Sequence, residues 1–272
     1  MAWMPASASP VHPRVMSLNV CTDQLVLEIA DPDQIVSLSN LSGDPRLSFL
    51  HDKAAKFPKN RGLAEEVFLA HPDIVVTGTY SLHNTALILQ KAKIPVEQFE
   101  YAQTLDTIPG DILRMGRILH HEDRAKALAA SFEEKLSRFR AMPRGKRPSA
   151  VVFEQNGVAL GAGTLADSVL GAAGFRNLVA EQGYSGMVPY PLELLVRDKP
   201  DVVLVTHSYE KAPSLADEIA RHPAVKALGS DTTGNVVPPG SWACGGAFTM
   251  EAVEALRHLR DTLSQPKTGH SG

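Results

Sequence analysis

Two stretches of the chain repeat one phrase: "HPDIVVTG" at residues 71–78 and "KPDVVLVT" at residues 199–206. Each is a Pro-Asp turn running into a short, β-branched apolar strand. Each stands at the same distance behind a glutamate, Glu65 seven residues before Pro72 and Glu193 seven before Pro200, and the copies are 128 residues apart. A segment written twice at that separation predicts two lobes of the same construction.

The surrounding sequence supports this. Before the first copy come a short strand "RVMSLNV" (14–20), a helix "TDQLVLEIA" (22–30) with Thr22 or Asp23 as N-cap, a strand "DQIVSLS" (33–39) and a helix "AEEVFLA" (64–70); after it come a helix "NTALILQKA" (84–92) and a strand "IPVEQFE" (94–100). Strands and helices alternating at these lengths give a parallel sheet covered on both faces. Residues 104–141 break the rhythm with "DTIPGDILRMGRILHH" and then "EDRAKALAASFEEKLSRFRAM", in which Ala127, Leu128, Phe132, Leu136 and Phe139 recur near helical spacing. That second stretch spans about 30 Å as a helix and reads as a stiff brace that limits closure to a small hinge rotation.

The alternation then restarts with a strand (149–155), a helix (165–174) stopped by Gly174, a helix (191–199), a strand (201–207), a helix (214–225), a last short strand "GNVVPPG" (234–240) and a closing amphipathic helix (249–264). The fold class is therefore α/β: two Rossmann-like lobes with parallel sheets, joined by a single long helix, with a ligand cleft between them. The boundaries read as an N-terminal lobe over 14–104, a connecting helical segment over 105–147, a C-terminal lobe over 148–264 and a disordered tail over 265–272. Residues 1–13 are Pro-rich and aperiodic, and Ala6-Ser7-Ala8 has the small-x-small form of an export cleavage site. They are read as the remnant of a truncated signal, with a disordered cytosolic N-terminus as the alternative.

Composition narrows the function. The 272 residues are 44% hydrophobic with a net charge of −3, which argues against nucleic acid or an anionic membrane surface as partner. No apolar run reaches the roughly 18 residues of a membrane span. The only cysteines, Cys21 and Cys244, leave three readings open: a disulfide, two free thiols or a ligand pair. No phosphate-binding loop of the G-x-x-x-x-G-K-[ST] form and no G-x-S-x-G nucleophile elbow occurs. An enzyme built on a thiol and a histidine, or a cluster-holding protein of nitrogenase-like form, is the reading from another class. The chain is not expected to be an enzyme.

"RVMSLNVCTDQLVLEIADPDQIVSLS", the paired Pro-Asp strands, the spanning helix and the terminal "WACGGAFTMEAVEAL" resemble the periplasmic substrate-binding proteins of ABC importers for cobalamin, ferric siderophores and haem. The resemblance runs from about residue 14 to 264. It implies a periplasmic, monomeric carrier with no intrinsic cofactor, whose bound ligand is a metal chelate: cobalamin or a ferric siderophore first, haem or a bare metal ion as the alternative. It further implies that Glu65 and Glu193, one per lobe, dock onto arginines of the permease dimer, with Glu66 as the rival of Glu65.

Ligands of open parallel sheets bind beyond the carboxyl ends of the strands. In those loops the candidate ligand-binding residues are Trp242, Tyr190 and Tyr80 as aromatic walls, His83, His207 and Tyr209 near the ends of the paired strands, and Asp44 and Arg46 in "NLSGDPR". His83 and His207 are also candidate metal ligands, with polar cleft contacts as the plainer reading. His71, His120 and His121 read as solvated. Arginine is scarce in these loops, which favours a neutral or zwitterionic chelate over a highly anionic one.

Overall fold

The computed structural model of the protein describes residues 12–80, 82–101, 103–143, 145–154, 157–205, 222–223 and 236–263. The first sheet contains β1 (Val15–Ser17), β2 (Ile35–Ser39), β3 (Lys59–Asn60), β4 (Ile74–Gly78) and β5 (Val96–Phe99) in the order β3-β2-β1-β4-β5, every pair parallel. The order reverses direction at β1, the kind of switch point beyond whose strand ends ligands bind. Helices α1 (Val20–Ile29), α2 (His51–Ala54), α3 (Ala64–Ala70) and α4 (His83–Lys91) supply the crossovers.

The second sheet contains β6 (Ser149–Glu154), β7 (Val158–Leu160), β8 (Arg176–Asn177), β9 (Met187–Pro189) and β10 (Val202–Val205). It is parallel where β10 and β8 meet β6, and antiparallel where β7 pairs with β6 and β9. Around it lie α7 (Leu165–Ala173), α8 (Leu178–Glu181), α9 (Leu192–Asp198) and a last helix, α10 (Thr249–Leu263). Between the sheets run α5 (Ile108–Leu119) and α6 (Glu122–Ala141).

The repeated phrase does the same structural work in both lobes. Helix α3 ends on His71 and α9 on Lys199, each left-handed (φ 47° and 44°), and the proline that follows cannot continue the helix. The aspartate then reaches sideways: Asp73 Oδ2 accepts the Arg14 N–H (2.7 Å) just ahead of β1, and Asp201 Oδ2 accepts the Ser149 N–H (2.7 Å) at the first residue of β6. Asp73 thus pins β4 to β1 and Asp201 pins β10 to β6, each pair being parallel neighbours in its sheet.

Several expectations are corrected. The N-cap of α1 is Asn19, whose side chain accepts the Cys21 N–H (2.9 Å); Thr22 and Asp23 are buried inside the helix. The buried stripe of α6 is Ala125, Ala129, Phe132 and Leu136, with Ala127 exposed, because the helix turns its 125/129 side to α5. Gly116 of α5 sits so close there that a Cβ would lie 2.2 Å from the Cβ of Ala125. Residues 236–240 form bends and turns instead of a strand, since consecutive prolines at 238 and 239 remove two ladder donors. His207, Tyr209, most of the helix expected over 214–225, residues 1–11 and the tail from 264 lie outside the described residues.

Candidate functional site

Loops at the carboxyl ends of the two sheets enclose a cleft of about 620 Å³. The first lobe contributes Arg46, Leu47, Tyr101 and Gln103; the second contributes Glu154 at the end of β6, Leu160 at the end of β7, Gly163–Ala166, Gly186 and Met187. Residues Pro239, Gly240, Trp242 and Ala243 close the wall. The lining is predominantly apolar, and among the described residues its charged members are Arg46 and Glu154. Such a cleft suits a large, partly apolar guest positioned by a few polar groups.

The loop carrying Trp242 is held firmly. Cys21, in the first turn of α1, forms a disulfide with Cys244, with Cα atoms 5.1 Å apart, so the pair open in the sequence resolves as a bridge and no free cysteine remains. The Gly245 N–H donates to Gln103 Oε1 (2.7 Å), while Gln103 Nε2 donates to Asp111 on α5 (2.9 Å). Burial pushes the Asp111 carboxyl up, opposed by that hydrogen bond. The Ala247 N–H donates to Glu28 of α1 (3.0 Å), and burial raises the Glu28 carboxyl to about 7. Phe248 stacks on Phe49 at 5.5 Å. Gly240, at φ 72°, lets the loop approach the first lobe so closely that a Cβ would stand 2.5 Å from Phe49 N. One side of Trp242 packs on the core and the other faces the cleft.

Behind the switch point, Asp23 is fully buried and accepts from Ser39 N (3.0 Å) and Ser39 Oγ (2.5 Å). Desolvation raises its carboxyl to about 7 despite those bonds. The pair ties α1 to the carboxyl end of β2 and so fixes the angle at which the following loop leaves the sheet. In that loop Asp44 and Arg46 are paired through Asp44 Oδ1 and Arg46 Nε (2.8 Å) and through the second oxygen; the guanidinium holds the Asp44 carboxyl below its usual range. Arg46 lines the cleft with this carboxylate as partner.

The aromatic candidates divide. Trp242 is in the wall. Tyr80 is 81% exposed and stacks on Tyr101 (centroids 4.9 Å apart), and Tyr101 itself lines the cleft. Tyr190 is a correction: it is 0% exposed, packed with Val151, Phe153 and Val203, and its hydroxyl donates to Asp198 Oδ2 (2.5 Å). Burial together with this carboxylate pushes the Tyr190 phenol well above its usual range. Gly186 and Met187 take the wall position instead. His83 is exposed at the start of α4 and is not among the cleft-lining residues. Tyr101, Leu47 and Met187 were not singled out from the sequence. Tyr101 was accessible to the same rule that found Tyr80, since it lies two residues beyond the end of β5.

Glu65 and Glu193 both lie exposed in the first turn of their helices, α3 and α9. Neither has a hydrogen bond or ion pair among the described residues. Glu66 is occupied: its carboxylate accepts the Arg61 and Leu63 N–H groups (2.8 and 3.1 Å) and caps α3.

Comparison with known proteins agrees with this architecture. The family described as "Periplasmic binding protein" matches residues 15–237. No curated protein sequence matches the chain. Among solved structures, the periplasmic heme-binding protein RhuT from Roseiflexus sp. RS-1 superposes with a TM-score of 0.71 at 20% identity, covering 91% of this chain and 96% of that one. A periplasmic heme-binding protein from Pseudomonas aeruginosa gives 0.73 at 19% identity, covering 95% and 96%. The vitamin B12 binding protein BtuF of Vibrio cholerae gives 0.67 at 17% identity, covering 93% and 99%. At these identities the likeness is one of fold. With more than half its length matched to the family, two lobes and a cleft between their strand ends, the chain belongs to the periplasmic binding proteins.

Proposed function

We propose that the protein is an exported carrier that captures a metal chelate in the cleft between its lobes and delivers it to an ABC importer. The observation that carries this is the cleft: about 620 Å³, walled by Trp242, Tyr101, Met187 and aliphatic side chains from both sheets. That volume lies within the ~300–1,000 Å³ typical of small-molecule sites. The two lining charges among the described residues, one of them a carboxylate, favour a neutral or zwitterionic chelate, cobalamin or a ferric hydroxamate, over a polyanionic catecholate. The solved B12-binding relative is compatible with this reading.

Haem is the second reading, and the Tyr80–Tyr101 stack favours it. A phenol is an established axial ligand for ferric haem, and an exposed Tyr80 leaning on a cleft-lining ring is suitably built to offer one. Two of the structures compared above are heme-binding proteins.

Delivery is assigned to Glu65 and Glu193. Both are exposed carboxylates at matched positions on the two lobes, able to form bidentate pairs with permease arginines. The test is quenching of Trp242 fluorescence in a Trp3→Phe background by cyanocobalamin, a ferric hydroxamate and hemin. Saturable quenching by cobalamin or hydroxamate supports the first reading. Quenching by hemin, with an absorption spectrum that changes in Tyr80→Phe, supports the second. Quenching by none of them refutes chelate capture.

A further inference from the structure

At the amino ends of the first sheet's strands, opposite the cleft, three side chains distant in sequence meet. His12 lies three residues before β1, Asp31 lies in the turn between α1 and β2, and His121 lies at the junction of α5 and α6. One ligand atom from each can be chosen so that all lie within 4.8 Å of one another. The rings of His12 and His121 stack with centroids 4.4 Å apart and planes inclined by 15°. His121 Nε2 stands 3.4 Å from Asp31 Oδ2, close to the ~3.3 Å edge between ligands of a tetrahedral zinc site. His12 Nδ1 is shielded from solvent yet has no hydrogen-bond partner among the described residues.

The surroundings resemble the outer support of a ligand set. Asp31 Oδ1 is held by Arg124 (2.9 Å), leaving Oδ2 toward His121. Gln34 has its amide orientation fixed: Nε2 donates to Pro13 O and Leu119 O, both at 3.1 Å, so Oε1 must face the cluster, where it accepts the Asp31 N–H and lies 2.6 Å from His121 Nε2. Gln34 therefore anchors the residue next to His12 and places a fourth oxygen beside the histidine. Arg14, two residues on, is fastened to Asp73 and His71. His12 is thus held on a fixed piece of chain.

We propose that His12, Asp31 and His121 form a second site, separate from the cleft, for a divalent transition ion of Zn2+ type, with Gln34 Oε1 as an additional oxygen donor. Two imidazoles and a carboxylate match the preferences of Zn2+, Ni2+ and Cu2+ over Mg2+ or Ca2+. Binding through Nε2 requires His121 to carry its proton on Nδ1, so the Nε2 hydrogen bond to Gln34 Oε1 is given up, and it draws the His12, Asp31 and His121 ligand atoms together by at most about 1.5 Å to reach the tetrahedral edge. The ion joins the chain ahead of β1, the α1–β2 turn and the α5–α6 junction, and so braces the first lobe against the connecting helices.

The test uses the full chain, tag-free, with ZnCl2 alone titrated against a chromophoric chelator, and CoCl2 as a spectroscopic probe. The expected result is one tight equivalent per chain, a tetrahedral Co2+ visible spectrum, and a Zn2+-dependent rise in melting temperature. His12→Ala should weaken binding by at least about tenfold and abolish the thermal shift, since His12 Nδ1 has no hydrogen-bond partner to lose among the described residues. His258→Ala, on the exposed side of α10, should change nothing. Absence of a saturable equivalent, or His12→Ala and His121→Ala variants that bind Zn2+ as tightly as the wild type, would overturn the assignment.

Discussion

The Cys21–Cys244 bridge closes a loop spanning a sequence separation of 223 residues. A cross-link over so long a loop removes chain entropy worth about 5 kcal/mol from the unfolded state. Unfolding entropy near 2.1 cal/mol/K per residue amounts to about 0.57 kcal/mol/K for 272 residues, so losing the bridge should lower the melting temperature by about 9 °C. The perturbation is the double variant Cys21→Ala/Cys244→Ala, which buries no new hydroxyl at the nearly inaccessible position 244. Wild-type protein melted with a reductant is the parallel arm. Calorimetry should give a similar drop in both. The folded loop remains tied by Glu28, Gln103 and the Phe49–Phe248 stack, so chelate affinity should change less than threefold. A melting shift below about 2 °C would refute the entropic argument. Little thermal change with collapsed affinity would show that the bridge positions Trp242.

Asp23 should give stability an unusual pH dependence. Its folded pKa of about 7 lies above the ordinary 3.8, so between those values the folded state holds the extra proton and stability rises as pH falls. Relative to Asp23→Asn, the wild type should gain about 2 kcal/mol between pH 7 and pH 5 in urea denaturation; a difference that stays flat across that range contradicts the burial argument. For docking, Glu65→Arg/Glu193→Arg together should abolish uptake of the chelate in cells while leaving quenching of Trp242 intact. Unchanged uptake would remove both residues from the permease contact, and Glu66→Arg alone should instead destabilise α3 through its lost cap.

What was legible in the sequence was local and periodic. The Pro-Asp strands, their helices and the Gly174 stop depend on neighbours within a few residues, and each formed where expected. The phase of α6 needed its partner: alanines at 125, 127 and 129 are equivalent in composition, and the close approach of Gly116 selects the outer two for burial. Tyr190 reads as an exposed loop aromatic until Asp198, eight residues later, accepts its hydroxyl inside a core drawn from β6 and β10. The β7 and β9 strands are three residues each, too short for alternation to register among glycines. His121 reads as solvated from its sequence neighbours, yet only 10% of its side chain is exposed, because His12 and Gln34 come from segments 109 and 87 residues away. No periodicity connects those three.

The cleft's geometry follows from how the two lobes are joined. The chain passes between them through α5 and α6, the second of which is 20 residues long and braced to the loop before α5 by Arg140 and Asp106 (2.7 and 2.9 Å). It returns through the Trp242 loop, which is covalently and hydrogen-bonded to the first lobe at Cys21, Gln103 and Glu28 before α10 packs on α7 of the second. A third tie runs from the Leu105 N–H to Ser168 Oγ on α7 (3.1 Å). A wide clamp that carried this loop away with the second lobe would break the Gly245–Gln103 and Ala247–Glu28 hydrogen bonds, and the Glu28 carboxylate would lose its N–H partner, at about 1–3 kcal/mol or more. Small adjustment of the second lobe's Gly163–Ala166 and Gly186–Met187 wall against a fixed Trp242 costs far less. The lobes therefore act as a nearly preformed vice, and affinity comes from walls whose ordering cost was met at folding.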